Sequence, residues 1–336
     1  MKGRRRYRAA LAGYYGFGNL GDELLLRASL ETLARCGVGR DSVVVLSNAP
    51  EETARTYDAT SVSRWSFRAV RRALSDSDTL LLGGGGLFQD SSSVRSCLWS
   101  WALVRLARLC GAKPWALGQS IGPLRSAAAR WLTRDALGSC AALQVRDAPS
   151  MMWAKRLGLA ASLGEDLALT LALPRTEGRE GRRLLLNLRP SRDTDRFVGL
   201  VASRIDKFRG EVVGVALSPE DKTLMEGLWN HGKLKLSRVV LVKGMEDAAE
   251  LWPGASLAVG MRLHFAVLSA LYATPLAVLS YDPKVEAFAE HVGAARIQET
   301  WRTPYRPRLP VSKMEIQYEA GRICQSVLDC FLLTVS

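Results

Sequence analysis

A chain of 336 residues exceeds what one ordinary hydrophobic core fills and points to two domains of about 150 residues each. A hydrophobic content of 48% with 24% charged residues excludes a disordered chain, and no run of about 18 apolar residues exists to cross a bilayer. The net charge of +13 suits an anionic partner, but the arginines are scattered over many predicted helices without an RRM, KH, zinc-finger or helix-turn-helix signature, which argues against nucleic acid.

The first strand is expected over Tyr7 to Tyr15, followed by Gly16-Phe17-Gly18-Asn19-Leu20-Gly21 and a helix from Asp22 to Cys36. A glycine-rich turn between strand and helix lets backbone N–H groups approach an anion at the helix N-terminus, although any tight turn also wants glycine. Asp22 and Glu23 in the first turn complement the helix dipole. A strand over Ser42–Ser47 and a helix over Pro50–Tyr57 follow. Next comes a basic amphipathic helix over Phe67–Leu74, with Arg64, Arg68, Arg71 and Arg72 close together. Such a run reads first as a solvated helix face and second as a membrane-surface contact.

Thr79 to Leu82 is expected as a buried strand ending in a loop, Gly83-Gly84-Gly85-Gly86, before Leu87-Phe88-Gln89-Asp90 and the hydroxyls of Ser91, Ser92 and Ser93. Four glycines carry a large entropic cost on folding, so close approach of the backbone to a ligand is the favoured reading over a merely tight loop. A helix over 94–109, a strand over 113–120, a helix over 127–137 and a strand over 141–145 come next. Arg146-Asp147 then stands at a strand's carboxyl end; by itself the pair reads as a surface ion pair of little energetic value.

The polar stretch 174–183 lacks periodicity and is the expected linker. Beyond it the alternation resumes, with strands at 184–188, 211–217 and 238–242 and helices at 195–208 and 220–229. Ser256–Val259 is a strand, and Gly260-Met261-Arg262-Leu263-His264 hands it over to an apolar helix. A buried strand over Thr274–Ser280 then leads through Tyr281-Asp282-Pro283-Lys284 into another helix, with proline in its favoured first turn. Arg262, His264 and Lys284 thus stand at two neighbouring strand ends, where open α/β sheets bind ligands, and suggest an anion pocket. After Gly293 the chain reads as irregular, and a helix over 313–333 closes it. The reading is two doubly wound Rossmann-like domains with parallel sheets, 1–174 and 184–310. They are joined by a linker over 175–183, with 311–336 as a helix packing across the boundary and the binding cleft between the domains.

Six cysteines without C-x-x-C spacing fall mostly in apolar helical segments, which fits a reducing cytosol and gives no zinc or disulfide framework. The basic start, Met1 to Arg8, runs into glycines and acids and does not read as a signal peptide. A cytoplasmic protein is expected, with peripheral contact at the inner face of the membrane as an addition.

Taken together, GYYGFGNLGDE at 13–23, the glycine run with Gln89-Asp90, Arg146, Gly164-Glu165-Asp166, GMRLH and SYDPK resemble the polysaccharide pyruvyltransferase family, the relatives of the CsaB ketal-pyruvyl transferases. The resemblance runs from residue 13 to 285 and departs from the family at Leu167, where a proline usually follows the aspartate; Asp166 is therefore not taken as a site residue. It implies a GT-B-like architecture and transfer of pyruvyl from phosphoenolpyruvate to a sugar diol, with release of phosphate and no cofactor or metal, in making cell-wall polysaccharide or exopolysaccharide. The acceptor would be a saccharide carried on a lipid. By family position, Arg146 and Arg262 bind donor anions, Lys284 the phosphate, His264 moves a proton and Asp22 serves the acceptor side. Asn19, Gly84, Gly85, Gln89 and Asp90 complete the substrate-binding set. A nucleotide-sugar glycosyltransferase on the same fold needs the same anion cradle and is the alternative. A non-catalytic module binding anionic glycans or lipid surfaces would need no His264.

Overall fold

A computed structural model describes residues 5–90, 93–173 and 182–297. The expected linker falls largely, and the expected closing helix entirely, outside the described residues, as do Arg4, Ser91 and Ser92. The chain divides into two compact units. Among the described residues, one holds 5–17 and 22–171, and the other holds 18–21 and 172–297.

The first unit runs β1 (Tyr7–Ala12), α1 (Leu20–Arg35), β2 (Val43–Ser47), α2 (Pro50–Tyr57), β3 (Thr60–Ser63), α3 (Phe67–Ser75), β4 (Ser77–Phe88), α4 (Arg95–Leu109), β5 (Lys113–Ile121), α5 (Ala127–Gly138), β6 (Leu143–Val145), α6 (Ala148–Arg156) and β7 (Ser162–Leu163). Its seven strands form one parallel sheet in the order β3-β2-β1-β4-β5-β6-β7. The chain winds outward from β1 in one direction and from β4 in the other, so the topological switch lies between these two strands. That is where an open sheet of this kind leaves a crevice at its carboxyl edge. The interior strands are apolar on both faces because helices cover both, as the consecutive buried residues Val43, Val44, Val45 and Leu46 and Leu80, Leu81 and Leu82 show. α3 follows from a plain helix code: the Ser66 hydroxyl accepts from Ala69 N–H at its start, and Val70, Ala73 and Leu74 are buried at helical spacing.

The second unit runs β8 (Arg183–Asn187), α7 (Thr194–Ile205), β9 (Glu211–Ala216), α8 (Pro219–Asn230), β10 (Arg238–Leu241), α9 (Met245–Leu251), β11 (Ala255–Gly260), α10 (Leu263–Leu271), β12 (Leu276–Leu279), α11 (Pro283–His291) and β13 (Ala295–Ile297). Its six strands are parallel in the order β10-β9-β8-β11-β12-β13, with the switch between β8 and β11. α10 is apolar on nearly every side, from Phe265 to Leu271, so it is a core helix rather than a surface one.

Two expectations are corrected. The glycine run is not a loop: β4 continues through it to Phe88, pairing Gly83 with Leu117 and Gly85 with Gln119 before its register shifts. Gly84 and Gly85 take φ of 79° and 88°, the left-handed region that favours glycine, so the glycines let the strand bulge and continue. The chain after Gly293 is not wholly irregular either, because Ala295–Ile297 adds the edge strand β13.

Candidate active site

In the first unit, the sequence-selected residues gather at the carboxyl edge of the sheet. The turn after β1 is held open by Glu23, whose carboxylate accepts from Gly16 N–H at 2.8 Å and from the Tyr57 hydroxyl at 2.9 Å. Burial raises the Glu23 pKa against those hydrogen bonds. Glu23 therefore shapes the loop, and its neighbour Asp22, half-buried in the first turn of α1, comes closer to the glycine run. A Cβ at Gly85 would stand 3.5 Å from Asp22 Oδ1. At Gly83 it would overlap the Tyr15 hydroxyl, which donates to the Gly83 carbonyl at 2.9 Å. The space beside Gly83 and Gly84 is thus taken by Tyr15, Ser29 and Leu25, and only Gly86 of the four is half-exposed. The immediate use of these glycines is close packing of helix α1 on strand β4.

Asp90 is buried and serves the neighbouring loop. Its carboxylate accepts from Arg125 N–H at 2.7 Å and from the N–H and hydroxyl of Ser126, both at 2.8 Å. Ser126 in turn caps α5. Burial by itself raises the Asp90 pKa, but these donors outweigh it and hold the group below the ordinary carboxylate value. A depressed folded-state pKa gives stability that is present above the unfolded value of about 3.9 and is lost as pH falls through the folded one. Replacing Asp90 by Asn should therefore flatten the pH dependence of denaturant unfolding below about pH 4; an unchanged slope would contradict this role. Gln89, beside it, is half-buried and accepts from the Cys97 thiol through its backbone carbonyl.

Arg146 also differs from the expected surface pair. Its side chain is only 6% exposed, and its Nη1 donates to Asp166 Oδ2 at 2.6 Å, with Asp147 Oδ2 3.8 Å from its Nε. Asp166 additionally accepts from Ala168 N–H at 3.0 Å, and Asp147 caps α6. Asp166, which the family pattern leaves out of the site, is thus the partner that fixes Arg146.

In the second unit, Arg262 repeats that arrangement. Asp221, fully buried in the first turn of α8, accepts from Arg262 Nε at 2.5 Å and from Nη2 at 2.7 Å. Nη2 also donates to the Ser218 hydroxyl at 2.9 Å, and Arg262 N–H donates to Asn187 Oδ1 at 3.0 Å. Burial would lower the Arg262 pKa; the Asp221 carboxylate outweighs that and raises it, so the guanidinium is firmly charged. Its Nη1 makes no hydrogen bond among the described residues. His264, the second residue of α10, is half-buried, and its ring lies against Gly21, where any Cβ would overlap it. Gly21 and Asn19 belong to this unit; Gly21 N–H donates to Asn19 Oδ1 at 3.2 Å, and Leu20 N–H to the Leu217 carbonyl at 3.0 Å. Lys284 is half-buried in the first turn of α11, its N–H donating to the capping Asp282 at 2.9 Å.

One cation escaped the sequence reading. Arg189, two residues beyond β8, donates to the Tyr281 hydroxyl at 2.7 Å and stacks over that ring at 5.3 Å. Its Nε is buried without a hydrogen-bond partner, and no carboxylate pairs with it among the described residues. Its position at the end of the first strand of its sheet is the signal that would have found it. Among the described residues, no group of three or more His, Cys, Asp or Glu side chains could hold a metal ion. Cys97, Cys110 and Cys140 are free thiols.

Two doubly wound parallel sheets, with their polar residues at the switch points, define a GT-B-type α/β fold. Solved structures share it. The UDP-GlcNAc 2-epimerase of Methanocaldococcus jannaschii matches with a TM-score of 0.60 at 11% identity, over 96% of this chain and 99% of that one. Anabaena Alr3699/HepE in complex with UDP-glucose matches with 0.55 at 11% identity, over 97% and 91%. A glycosyltransferase from Rickettsia africae matches with 0.56 at 11%, over 98% and 93%. No curated protein matches the chain. The chain belongs to the polysaccharide pyruvyl transferase family, whose model matches residues 19–283. Such a family is one of transferases with a polysaccharide acceptor. The match takes in every sequence-selected residue except Lys284, which is the next residue after it.

Proposed function

We propose that the chain transfers pyruvyl from phosphoenolpyruvate to two hydroxyls of one sugar, forming a cyclic ketal and releasing phosphate in cell-envelope polysaccharide biosynthesis. The observation that carries this reading is the edge of the second sheet. There Arg189 follows β8, Arg262 and His264 stand at the start of α10 after β11, and Lys284 stands in the first turn of α11 after β12, on either side of the switch point.

The chemistry assigns work to each group. Protonation of the enol carbon makes C2 electrophilic, one sugar hydroxyl adds to C2, and the second displaces phosphate. The two hydroxyl protons account for the new methyl hydrogen and for the proton that leaves on phosphate. His264 moves protons near neutral pH. The donor's carboxylate suits a guanidinium and its phosphate suits Lys284. Arg146 stands between Asp166 and Asp147, and Arg262 gives its Nε–Nη2 edge to Asp221; these carboxylates fix the two guanidinium groups and cancel much of their charge. In this proposal they hold the donor through their remaining amino groups, and Arg189 supplies uncancelled charge. Asp22 serves the acceptor side, and Asn19, Gly84, Gly85, Gln89 and Asp90 shape the surrounding backbone. Phosphoenolpyruvate is a co-substrate and no resident cofactor takes part. Phosphate release from phosphoenolpyruvate with a panel of lipid-linked saccharides tests the reading. Release should require both partners, and a requirement for a nucleotide sugar instead would favour the glycosyltransferase alternative.

The proposal extends to a lipid-carried acceptor and peripheral attachment to an anionic leaflet. Among the described residues no helix is long and apolar enough to cross a membrane. α3 exposes Phe67, Arg68, Arg71 and Arg72 on one face. Each cation near an anionic leaflet contributes about 1 kcal/mol, so Arg68→Glu with Arg71→Glu should abolish flotation with anionic vesicles at low salt. Equal flotation of that variant would remove α3 from membrane contact.

A further inference from the structure

The loops at the carboxyl edge of the first sheet carry aromatic side chains that the reaction chemistry does not use. Tyr14 follows β1, Trp65 follows β3, and Trp99 lies in α4, which follows β4. Tyr14 and Phe17 stack at 3.8 Å with planes 9° apart, the Phe17 and Trp65 rings meet edge to face at 6.4 Å, and Trp65 and Trp99 lie 5.8 Å apart. The Arg64 guanidinium sits among all four rings, 5.1 to 5.7 Å from their centroids. Arg64 is buried, its Nη1 donates to the Gly13 carbonyl at 2.7 Å, and its Nε has no hydrogen-bond partner among the described residues. The outer surface stays open: Trp65 is 63% exposed and Tyr14 47%.

An exposed indole normally costs apolar hydration and gains nothing by being held still. Trp65 is held: its ring N–H donates to Asn48 Oδ1 at 2.7 Å, and Asn48 Nδ2 donates to the Gly16 carbonyl at 3.1 Å. A contiguous exposed aromatic surface marks a binding site, and a fixed one suits a rigid ligand better than a fluid one. A bilayer needs aromatic tips that can reorient among headgroups, whereas a sugar ring presents a flat C–H face that stacks on a fixed ring. The position agrees, because ligands of open parallel sheets bind at the carboxyl edge.

We propose that Tyr14, Phe17, Trp65 and Trp99 form a stacking shelf for saccharide rings of the acceptor, with Arg64 as the positioning residue that fixes the rings. The assignment of the saccharide as acceptor rests on the pyruvyl-transfer reading; the shelf's affinity for a glycan does not require turnover. The test therefore omits phosphoenolpyruvate. Titration calorimetry with neutral hexose and N-acetylhexosamine tetrasaccharides is run on the full chain and on Trp65→Ala, Trp65→Tyr and Trp131→Ala, the last being an exposed tryptophan of α5 outside the shelf. Trp65→Ala should weaken binding about 10-fold with unchanged thermal unfolding, Trp65→Tyr should restore most of it, and Trp131→Ala should change nothing. Equal affinity in Trp65→Ala, or no binding of any tetrasaccharide to the unaltered chain, would overturn the shelf. Loss of vesicle flotation by Trp65→Ala without loss of glycan affinity would likewise overturn it and make the face a membrane contact. Glycan binding that depends on Trp65, in a protein that never releases phosphate from phosphoenolpyruvate, would leave the shelf standing and remove only the pyruvyl reading.

Discussion

Replacing His264 by Gln should lower turnover by about 100-fold or more while leaving the fold and donor binding intact. Glutamine keeps much of the size and one hydrogen-bonding edge of the ring, and it can still lie against Gly21, but it does not exchange a proton near neutral pH. The variant therefore separates proton transfer from space filling. Thermal unfolding, phosphoenolpyruvate affinity and phosphate release should be measured on one preparation. A stable variant with near-normal turnover would end the case for His264 as acid or base. Gly21 offers an independent check: a methyl group there overlaps the ring, so Gly21→Ala should impair turnover through His264 without touching the donor's cations.

The second large effect concerns stability. Asp221→Ala should cost about 3–5 kcal/mol, because it leaves the Arg262 guanidinium partly buried and uncompensated. The same carboxylate accepts from Leu217 N–H at 3.2 Å, so the loss reaches the end of β9 as well as the start of α10. Denaturant unfolding measures it directly; a loss below about 1 kcal/mol would place Arg262 among ordinary surface ion pairs. Replacing both Arg262 and Asp221 by apolar residues of similar volume should recover much of the stability and none of the activity. That outcome distinguishes holding the loop from holding the donor.

The parts of this fold that could be read from the chain are those with local codes. Apolar runs of strand length alternating with helical periodicity identify both parallel sheets. Pro50, Pro219 and Pro283 at helix starts, with Ser66 and Asp282 as caps, mark several boundaries. β3, β7 and β13 escape because they are short, partly exposed edge strands without an apolar run. The glycine run misleads for a physical reason: four glycines read as a loop, yet two residues with positive φ are accommodated as a bulge inside a continuing strand. In the candidate site, the family-like motifs locate the residues but not their electrostatic state. The carboxylates that hold Arg146 and Arg262 lie 20 and 41 positions away in the chain, and only folding brings them into contact. Arg189 is not legible in the chain because a single arginine after a strand has no local pattern; its pairing with Tyr281 spans 92 positions.

The most direct test of pyruvyl transfer follows the carbon rather than the phosphate. Phosphoenolpyruvate labelled with carbon-13 at C3 is incubated with the protein and a lipid-linked saccharide, and the product is examined by NMR. The account predicts that the vinylic signal is replaced by a methyl signal on a ketal carbon joined to two oxygens of one sugar, with one phosphate released for each methyl formed. Phosphate release with free pyruvate and an unaltered saccharide, or saccharide modification that proceeds only with a nucleotide sugar, would contradict it.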